Sequence, residues 1–444
     1  MHKHPAQIKT ILSQLIQNIA DHPEQFSKNP QHDFTRKRKL DLGKVILFLL
    51  GMKGNSTSNE LLDFFDCSLD TVTTSAFVQQ RSKLLPETME TLFRSFVKRT
   101  STSAFYKGFR LLAIDGSDIH IPTAKEDADS YYPGTNEQRP YNLLHLNALY
   151  DLLSHTYTDV LIQKSHFANE CRAFVDMVDR SDDIPTLFIA DRGFEAYNNL
   201  AHVQEKGAKF LIRIKDIDSC KGIASGLDLP EQDIFDIPVS LSLSRKQTKA
   251  DKELFKDHNH FRFIPASHIF DYLPVKNKKS VPIAPYLLSF RIVRFPISDT
   301  TYETVVTNLD TIDFPPNELK KLYAMRWGIE TSFRELKYTV GLLHFHAKKV
   351  EHIFQEIFAS LIMYNFCELI TSHVVIHKAN KKYAYKANFS VAVHLCRRFL
   401  LKKDMSPPNL EALIAKNVSP VRPGRSRPRK LLPKGSISFL YRVA

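Results

Sequence analysis

Three carboxylates stand where they could work together. Asp115 closes the apolar run of FRLLAIDGSDIHIP, Asp191 closes that of IPTLFIADRGF, and Glu330 lies on a helix-like stretch beside two cations and a phenol. Magnesium and manganese take hard oxygen ligands of this kind and fill the rest of their shell with water and substrate phosphates. A pair of such ions about 3.5–4 Å apart activates an attacking water or hydroxyl and stabilises the leaving oxygen in phosphodiester chemistry. One aspartate must then bridge both ions. Asp115, on what reads as the central strand, suits that role, with Asp191 and Glu330 as flanking ligands. Any one of these acids alone says little, because aspartate at a strand end is a common turn former.

Residues 316–338, PNELKKLYAMRWGIETSFRELKY, predict a helix carrying Tyr323, Arg326, Glu330 and Lys337. At about 100° per residue these four side chains fall within an arc of roughly 60°. Leu322, Met325, Ile329, Phe333 and Leu336 fill the neighbouring arc and predict a core-facing stripe. An ordinary amphipathic surface helix with i,i+4 ion pairs has the same pattern; the two strand-end aspartates set this one apart. Arginine supplies a fork matched to phosphate, while lysine and a tyrosine hydroxyl hold a backbone without reading its sequence. Arg326, one turn from Glu330, favours the ionised form of that acid. Trp327, the only tryptophan, flanks the polar stripe.

The scaffold behind these groups is globular in composition, with 43% hydrophobic and 11% aromatic residues over 444, enough for two or three domains. A net charge of +13 and a pI near 9.3 predict a polyanionic partner, nucleic acid before an anionic membrane surface. Uninterrupted apolar runs, such as residues 45–50, fall far short of a bilayer span, and the polar N-terminus lacks a signal-peptide pattern. No membrane association and a cytoplasmic location are therefore expected. Cys67, Cys171, Cys220, Cys367 and Cys396 are scattered without CxxC spacing, which argues against a zinc module or a disulfide framework.

Residues 1–105 read as helices with a cationic run, Arg36, Lys37, Arg38 and Lys39, and further cations at Arg81, Lys83, Arg94, Lys98 and Arg99. That is the pattern of a helical DNA-binding domain; a packing or dimerisation domain with a solvated charge run is the plainer alternative. Residues 106–215 read as β-β-β-α-β-α-β, a mixed α/β sheet whose strand C-termini form an edge where ligands gather. In this reading the first strand ends at Asp115 and a glycine turn leads to a second, short strand. Residues 216–308 alternate polar and apolar over a stretch too long for a loop, which predicts an inserted β-rich subdomain. Residues 309–378 return to the core with the helix of residues 316–338, and residues 379–444 add a C-terminal helix and a tail. Over residues 416–434 that tail holds seven basic residues, four prolines and no acids, the composition of a disordered polyanion-binding segment.

IDGSD around Asp115, ADRGF around Asp191 and Tyr323-x2-Arg326-x3-Glu330-x6-Lys337 resemble, in order, the three signature regions of DDE-class transposases of bacterial insertion sequences, in the group with a Tyr-Arg-Glu-Lys signature. LLHFHAKKVEHIFQEIFASLIMYNF is similar to that family too, so the resemblance spans residues 111–366, with residues 216–308 matching by position alone. It implies an α/β protein: an RNase H-like mixed-sheet catalytic core with a β-rich insertion, preceded by an all-helical N-terminal domain and followed by C-terminal helices. It further implies hydrolytic nicking at the element ends and transesterification of the freed 3′-hydroxyl into target DNA, often through a hairpin. Asp115, Asp191 and Glu330 would then bind two Mg2+ or Mn2+ ions, and Tyr323, Arg326 and Lys337 would contact phosphates beside the scissile bond. The implied partners are double-stranded DNA, as terminal inverted repeats and target, and a second copy of the chain in the synaptic complex. Some relatives stack a flipped base on a tryptophan in the strand upstream of the signature; here that strand, TYETVVTNL, offers Tyr302 instead.

Other polar groups have plainer readings. Asp118 and His120 belong to the strand after the turn, His344 and His346 to a polar or phosphate-facing loop, and Glu195 to a helix start, while Arg192 suits a carboxylate or a phosphate equally. Two further functions fit the same residues: an RNase H-like nuclease that cuts without joining, and a DNA-binding derivative without catalysis.

Overall fold

Along β1 (Arg110–Ile121), Leu111 and Ala113 join one apolar cluster while Leu112 and Ile114 join another, so this strand is buried on both faces. The computed structural model describes residues 4–101, 104–135, 139–217, 222–274, 284–374, 376, 384–402 and 407–421. Nine more strands join β1 in one mixed sheet: β2 (Tyr131–Tyr132), β3 (Tyr141–Asp151), β4 (Thr156–Lys164), β5 (Thr186–Ala190), β6 (Lys209–Arg213), β7 (Phe235–Ser244), β8 (Phe261–Phe263), β9 (Tyr286–Pro296) and β10 (Tyr302–Thr307). The spatial order is β2-β3-β1-β5-β6-β10-β9-β7-β8, with β4 also paired to β3. β1 is antiparallel to β3 and parallel to β5, and β5 is parallel to β6. The order β-β-β-α-β-α-β read over residues 106–215 is present, with the short β2 added and with Glu170–Asp179 and Tyr197–Glu205 as its helices.

Three expectations change here. First, β1 does not stop at Asp115. It pairs with β3 without interruption from Leu112↔Asp151 to Ile121↔Asn142, so the aspartate and the glycine after it are both in the strand. Second, residues 216–308 build no sheet of their own: β10 pairs with β6, and β9, β7 and β8 continue the same sheet. Third, the N-terminal helices are not a separate body. Leu12 and Ile16 of Pro5–Asp21, Val45 and Phe48 of Leu42–Gly51, and Phe93 and Phe96 of Thr88–Thr100 share one core with Ile353, Leu361 and Phe366 of Val350–Thr371. That last helix is long and apolar enough to cross a bilayer by length and composition, yet 83% of its most apolar window is buried inside the protein.

Several cations expected on a DNA-facing surface are spent inside. Arg81 is buried and bonds Gln355 and Glu356 at 2.8 and 2.7 Å. Arg94 pairs with Glu90 and Asp159, and Lys83 lies 3.7 Å from Asp33. Arg36, Lys37, Arg38 and Lys39 are all exposed, and Lys39 pairs with Asp70 at 2.6 Å. Asp41, just after this run, caps Leu42–Gly51 by accepting from the Lys44 amide. The basic tail beyond residue 421, and Cys220, lie outside the described residues.

Candidate active site

The site lies where β1 outruns its parallel neighbour. β5 pairs with β1 only from Arg110↔Thr186 to Ala113↔Ile189, so from Ile114 onward β1 has an open edge on that side. Asp115 is on this stretch, and its Oδ1 accepts from the Gly116 amide at 2.9 Å. Asp191 directly follows β5 and caps the short turn Arg192–Phe194, accepting from the Gly193 amide at 2.8 Å. By strand alternation Asp115 continues the face of Leu111 and Ala113, and Asp191 that of Leu187 and Ile189, which share one apolar cluster. The helical segment carrying Glu330 packs on the same face. Gly328 permits this: a Cβ there would stand 3.1 Å from the Leu152 side chain at the end of β3.

The helix expected over residues 316–338 is three pieces. Pro316–Met325 and Trp327–Arg334 meet at Arg326, whose amide bonds the Tyr323 carbonyl three residues back, while the Ile329 amide does the same with Arg326. From Glu335 to Val340 the turn widens to a π-helix and ends at Gly341 with φ +100°. A uniform 100° step therefore fails to place Lys337. Its ammonium donates to the Asp118 carbonyl at 2.6 Å, and burial holds it below the usual lysine range, with Asp118 opposing. The i,i+4 pair survives the break: Arg326 Nη2 donates to Glu330 Oε1 at 2.8 Å.

Arg326 joins the acids. It is 4% exposed, its Nη1 is 3.9 Å from Asp115 Oδ2, and its Nε has no hydrogen-bond partner among the described residues. Asp115 is pushed up to about 6, mainly by burial and further by the like charges of Asp191 and Glu330, against the Gly116 amide and Arg326. One guanidinium thus faces two of the three carboxylates, Asp115 and Glu330. The donor chemistry, three sets of hard oxygens, fits a magnesium or manganese ion. Metal-holding spacing is not reached, however: no group of three or more His, Cys, Asp or Glu could hold an ion as it stands among the described residues. Arg326 contacts both Glu330, at 2.8 Å, and Asp115, at 3.9 Å.

The remaining expected residues divide. Tyr323 is 3% exposed and its hydroxyl is buried without a partner, so it does not face solvent as a phosphate contact would. Trp327 is 52% exposed, with the Arg326 guanidinium 5.0 Å from its ring. Tyr302 has Arg294 over one ring face at 4.3 Å and gives its hydroxyl to Asp233. Arg192 is exposed and forms no ion pair among the described residues. Glu195 accepts from the Lys215 and Ile223 amides, and His346 is buried between Glu60 and Glu356 rather than in a phosphate-facing loop.

Sequence reasoning missed a second cluster against the first. His145 stands between Asp118 at 2.8 Å and Glu170 at 3.0 Å; burial works against its charge, but the two carboxylates win and push it up to about 9. A side chain at position 116 would run into this histidine and Glu170, which explains the glycine after Asp115. The cross-strand register Asp118↔His145 makes the pair, and no local motif announces it.

A family model described as the transposase DDE domain matches residues 106–366, more than half of the chain and all three acids. The chain belongs to the DDE transposases. It is 23% identical over 344 residues to the transposase InsG for insertion sequence element IS4 of Escherichia coli (strain K12), covering 74% of this chain and 70% of that one. These matches make this protein a DDE-class transposase of the bacterial insertion-sequence type. A solved piggyBac transposase synaptic complex with hairpin DNA covers 95% of this transposase and 87% of its own chain, at 10% identity and a TM-score of 0.45.

Proposed function

We propose that this transposase hydrolyses DNA at the ends of its element and joins the freed 3′-hydroxyl to target DNA, with Asp115, Asp191 and Glu330 holding two magnesium or manganese ions. One observation carries the reading: a strand carboxylate pushed up to about 6 by burial and two like-charged neighbours, sharing one buried guanidinium. When bound, the ions supply Lewis acidity at the scissile phosphate and activate the attacking hydroxyl. Asp115 would hold the ions together with Asp191 and Glu330. Arg326 exchanges its carboxylate partners for a phosphate oxygen, a trade its planar fork allows. Tyr323 and Lys337 hold the backbone on either side, which for Tyr323 requires the buried hydroxyl to meet the DNA as it seats. Arg192, Trp327 and the exposed run Arg36, Lys37, Arg38 and Lys39 extend the contact surface in this proposal. Stacking on Tyr302 would have to use the ring face that Arg294 leaves open.

The order β4-β3-β1-β5-β6, antiparallel on one side of β1 and parallel on the other, supports an RNase H-like core. The proposed layout keeps the boundaries 1–105, 106–215, 216–308, 309–378 and 379–444, with two copies of the chain pairing the element ends. Incubating labelled terminal-repeat ends with magnesium tests the whole reading. Joined product supports it, cleavage alone makes the protein a nuclease, and binding alone makes it a non-catalytic derivative. Cleavage by Glu330→Gln at the parent rate would falsify the metal assignment.

A further inference from the structure

Beyond Lys337 the π-helical turn Glu335–Val340 runs into a shallow pocket of about 300 Å3 that the proposed chemistry does not use. Lys53, Tyr338, Ser390, His394 and Arg397 are in its wall, and no acidic side chain lines it. Three distant parts of the chain meet here: the loop before Thr57–Phe64, the end of the signature segment, and the helix Phe389–Leu401. Tyr338 is 69% exposed at the rim, and His394 is exposed as well.

Arg397 is the unusual member. It is 8% exposed, its Nη2 donates to the Val340 carbonyl at 2.7 Å, and its Nε has no partner. Among the described residues it forms no ion pair; burial holds it below the usual guanidinium range, with Cys367 and Glu60 opposing. Buried guanidinium groups are normally neutralised, as Arg81 is by Glu356. Arg397 also lines an adjoining cavity with Glu60, Asp63 and Asp66, but its unbonded Nε leaves it a donor for an external anion.

We infer that this pocket is a second phosphate site, which takes a backbone phosphodiester of duplex DNA beyond the cleavage point. The inference rests on the transposase reading above and names one contact within it. Glu330 and Gly341 are eleven residues apart along a run that is α-helical to Arg334 and π-helical to Val340, at most roughly 16 Å at the α-helical rise. That equals about five base pairs of duplex, so a duplex cut beside Glu330 has a backbone phosphate within reach of this pocket. Arg397 supplies the charge together with Lys53, whose ammonium also lies 3.9 Å from Asp63, and Ser390 and Tyr338 can donate to phosphate oxygens.

The test is the salt dependence of binding by the full chain to a labelled duplex of arbitrary sequence, compared with Arg397→Met, Arg397→Lys and the rim variant Lys53→Gln/His394→Gln. Arg397→Met should bind about tenfold more weakly, as expected for a lost charged hydrogen bond. Its slope of log K against log salt should be shallower by about 0.9. The rim variant should shift both quantities in the same direction, and Arg397→Lys should keep the parental slope. Melting curves show which variants fold, and if Arg397→Met does not, the rim variant decides. A parental slope in the folded rim variant overturns the phosphate site while leaving the transposase reading intact. Failure of the parent to bind any duplex overturns that reading instead. Inorganic phosphate that raises the melting temperature of the parent but not of Arg397→Met, with duplex slopes equal, identifies a small-anion site and also overturns the proposal.

Discussion

Two buried charge clusters in this protein use the same residue types to opposite ends. Between the helices Thr57–Phe64, Thr74–Arg81 and Val350–Thr371, two cations meet two carboxylates. Arg81 bonds Glu356, and His346 sits 3.5 Å from Glu60 and 3.8 Å from Glu356. Glu60 also accepts the Lys53 and Asn55 amides. Burial pushes Glu356 upward, but Arg81 and His346 hold it below the usual carboxylate range. On β1, by contrast, Asp115 and Glu330 share Arg326 with Asp191 as a further like charge, and Asp115 is left near 6. The balanced cluster satisfies itself and ties the helices together. The unbalanced one keeps like-charge repulsion that a proton or an external cation relieves, which is how functional carboxylates commonly differ from structural ones.

Removing one carboxylate from the unbalanced cluster should have the largest effect. Glu330→Gln should lower cleavage of labelled terminal-repeat ends by roughly a thousandfold or more if the metal reading holds. Its melting temperature should stay level or rise, because a repelling charge has gone. Breaking the balanced cluster should do the reverse. Arg81→Met leaves Glu356 buried and half-paired, at a cost of about 3–5 kcal/mol in chemical denaturation. Activity per folded molecule should stay parental; a loss of cleavage at full folding would erase the distinction between the clusters.

A smaller effect separates them by pH. Its two carboxylate neighbours overcome burial to push His346 from 6.5 up to about 10. A histidine raised on folding contributes stability that is complete below its unfolded value and is lost as pH rises toward the folded value. Denaturation midpoints should therefore fall between pH 6.5 and about 10, and His346→Asn should flatten that decline. His145, raised to about 9, acts in the same window, so the difference between parent and variant is the quantity to read. The smallest effect belongs to the exposed pair of Lys39 and Asp70. Asp70→Asn should leave the melting temperature unchanged within error, whereas glutamine at positions 36–39 should flatten the salt dependence of DNA binding.

Much of the site was legible as type and order. Asp115 and Asp191 stood at the ends of apolar runs because buried strands need such runs, and polar groups are tolerated where the burial stops. Arg326 and Glu330 could be paired from their four-residue spacing, which depends on one turn of helix only. Lys337 could not be placed from the same period, because the break at Arg326 and the π-turn after Arg334 shift the phase. Arg81, Arg94 and His346 were misread for a related reason. A charged residue looks the same in sequence whether solvent or a partner hundreds of residues away neutralises it.

Local chemistry, then, belongs to the sequence: strand and helix runs, the Arg326–Glu330 pair, and the residue types able to bind hard cations and phosphate. These follow from short-range periodicity and side-chain chemistry. The tertiary structure alone decided which charges are solvated, that β1 runs on past Asp115, that β7–β10 extend one sheet, and that Arg326 stands between the acids. It also brought His145 to Asp118 and left Arg397 without an ion pair among the described residues. Burial and long-range pairing set those outcomes, and both depend on contacts between segments far apart in the chain.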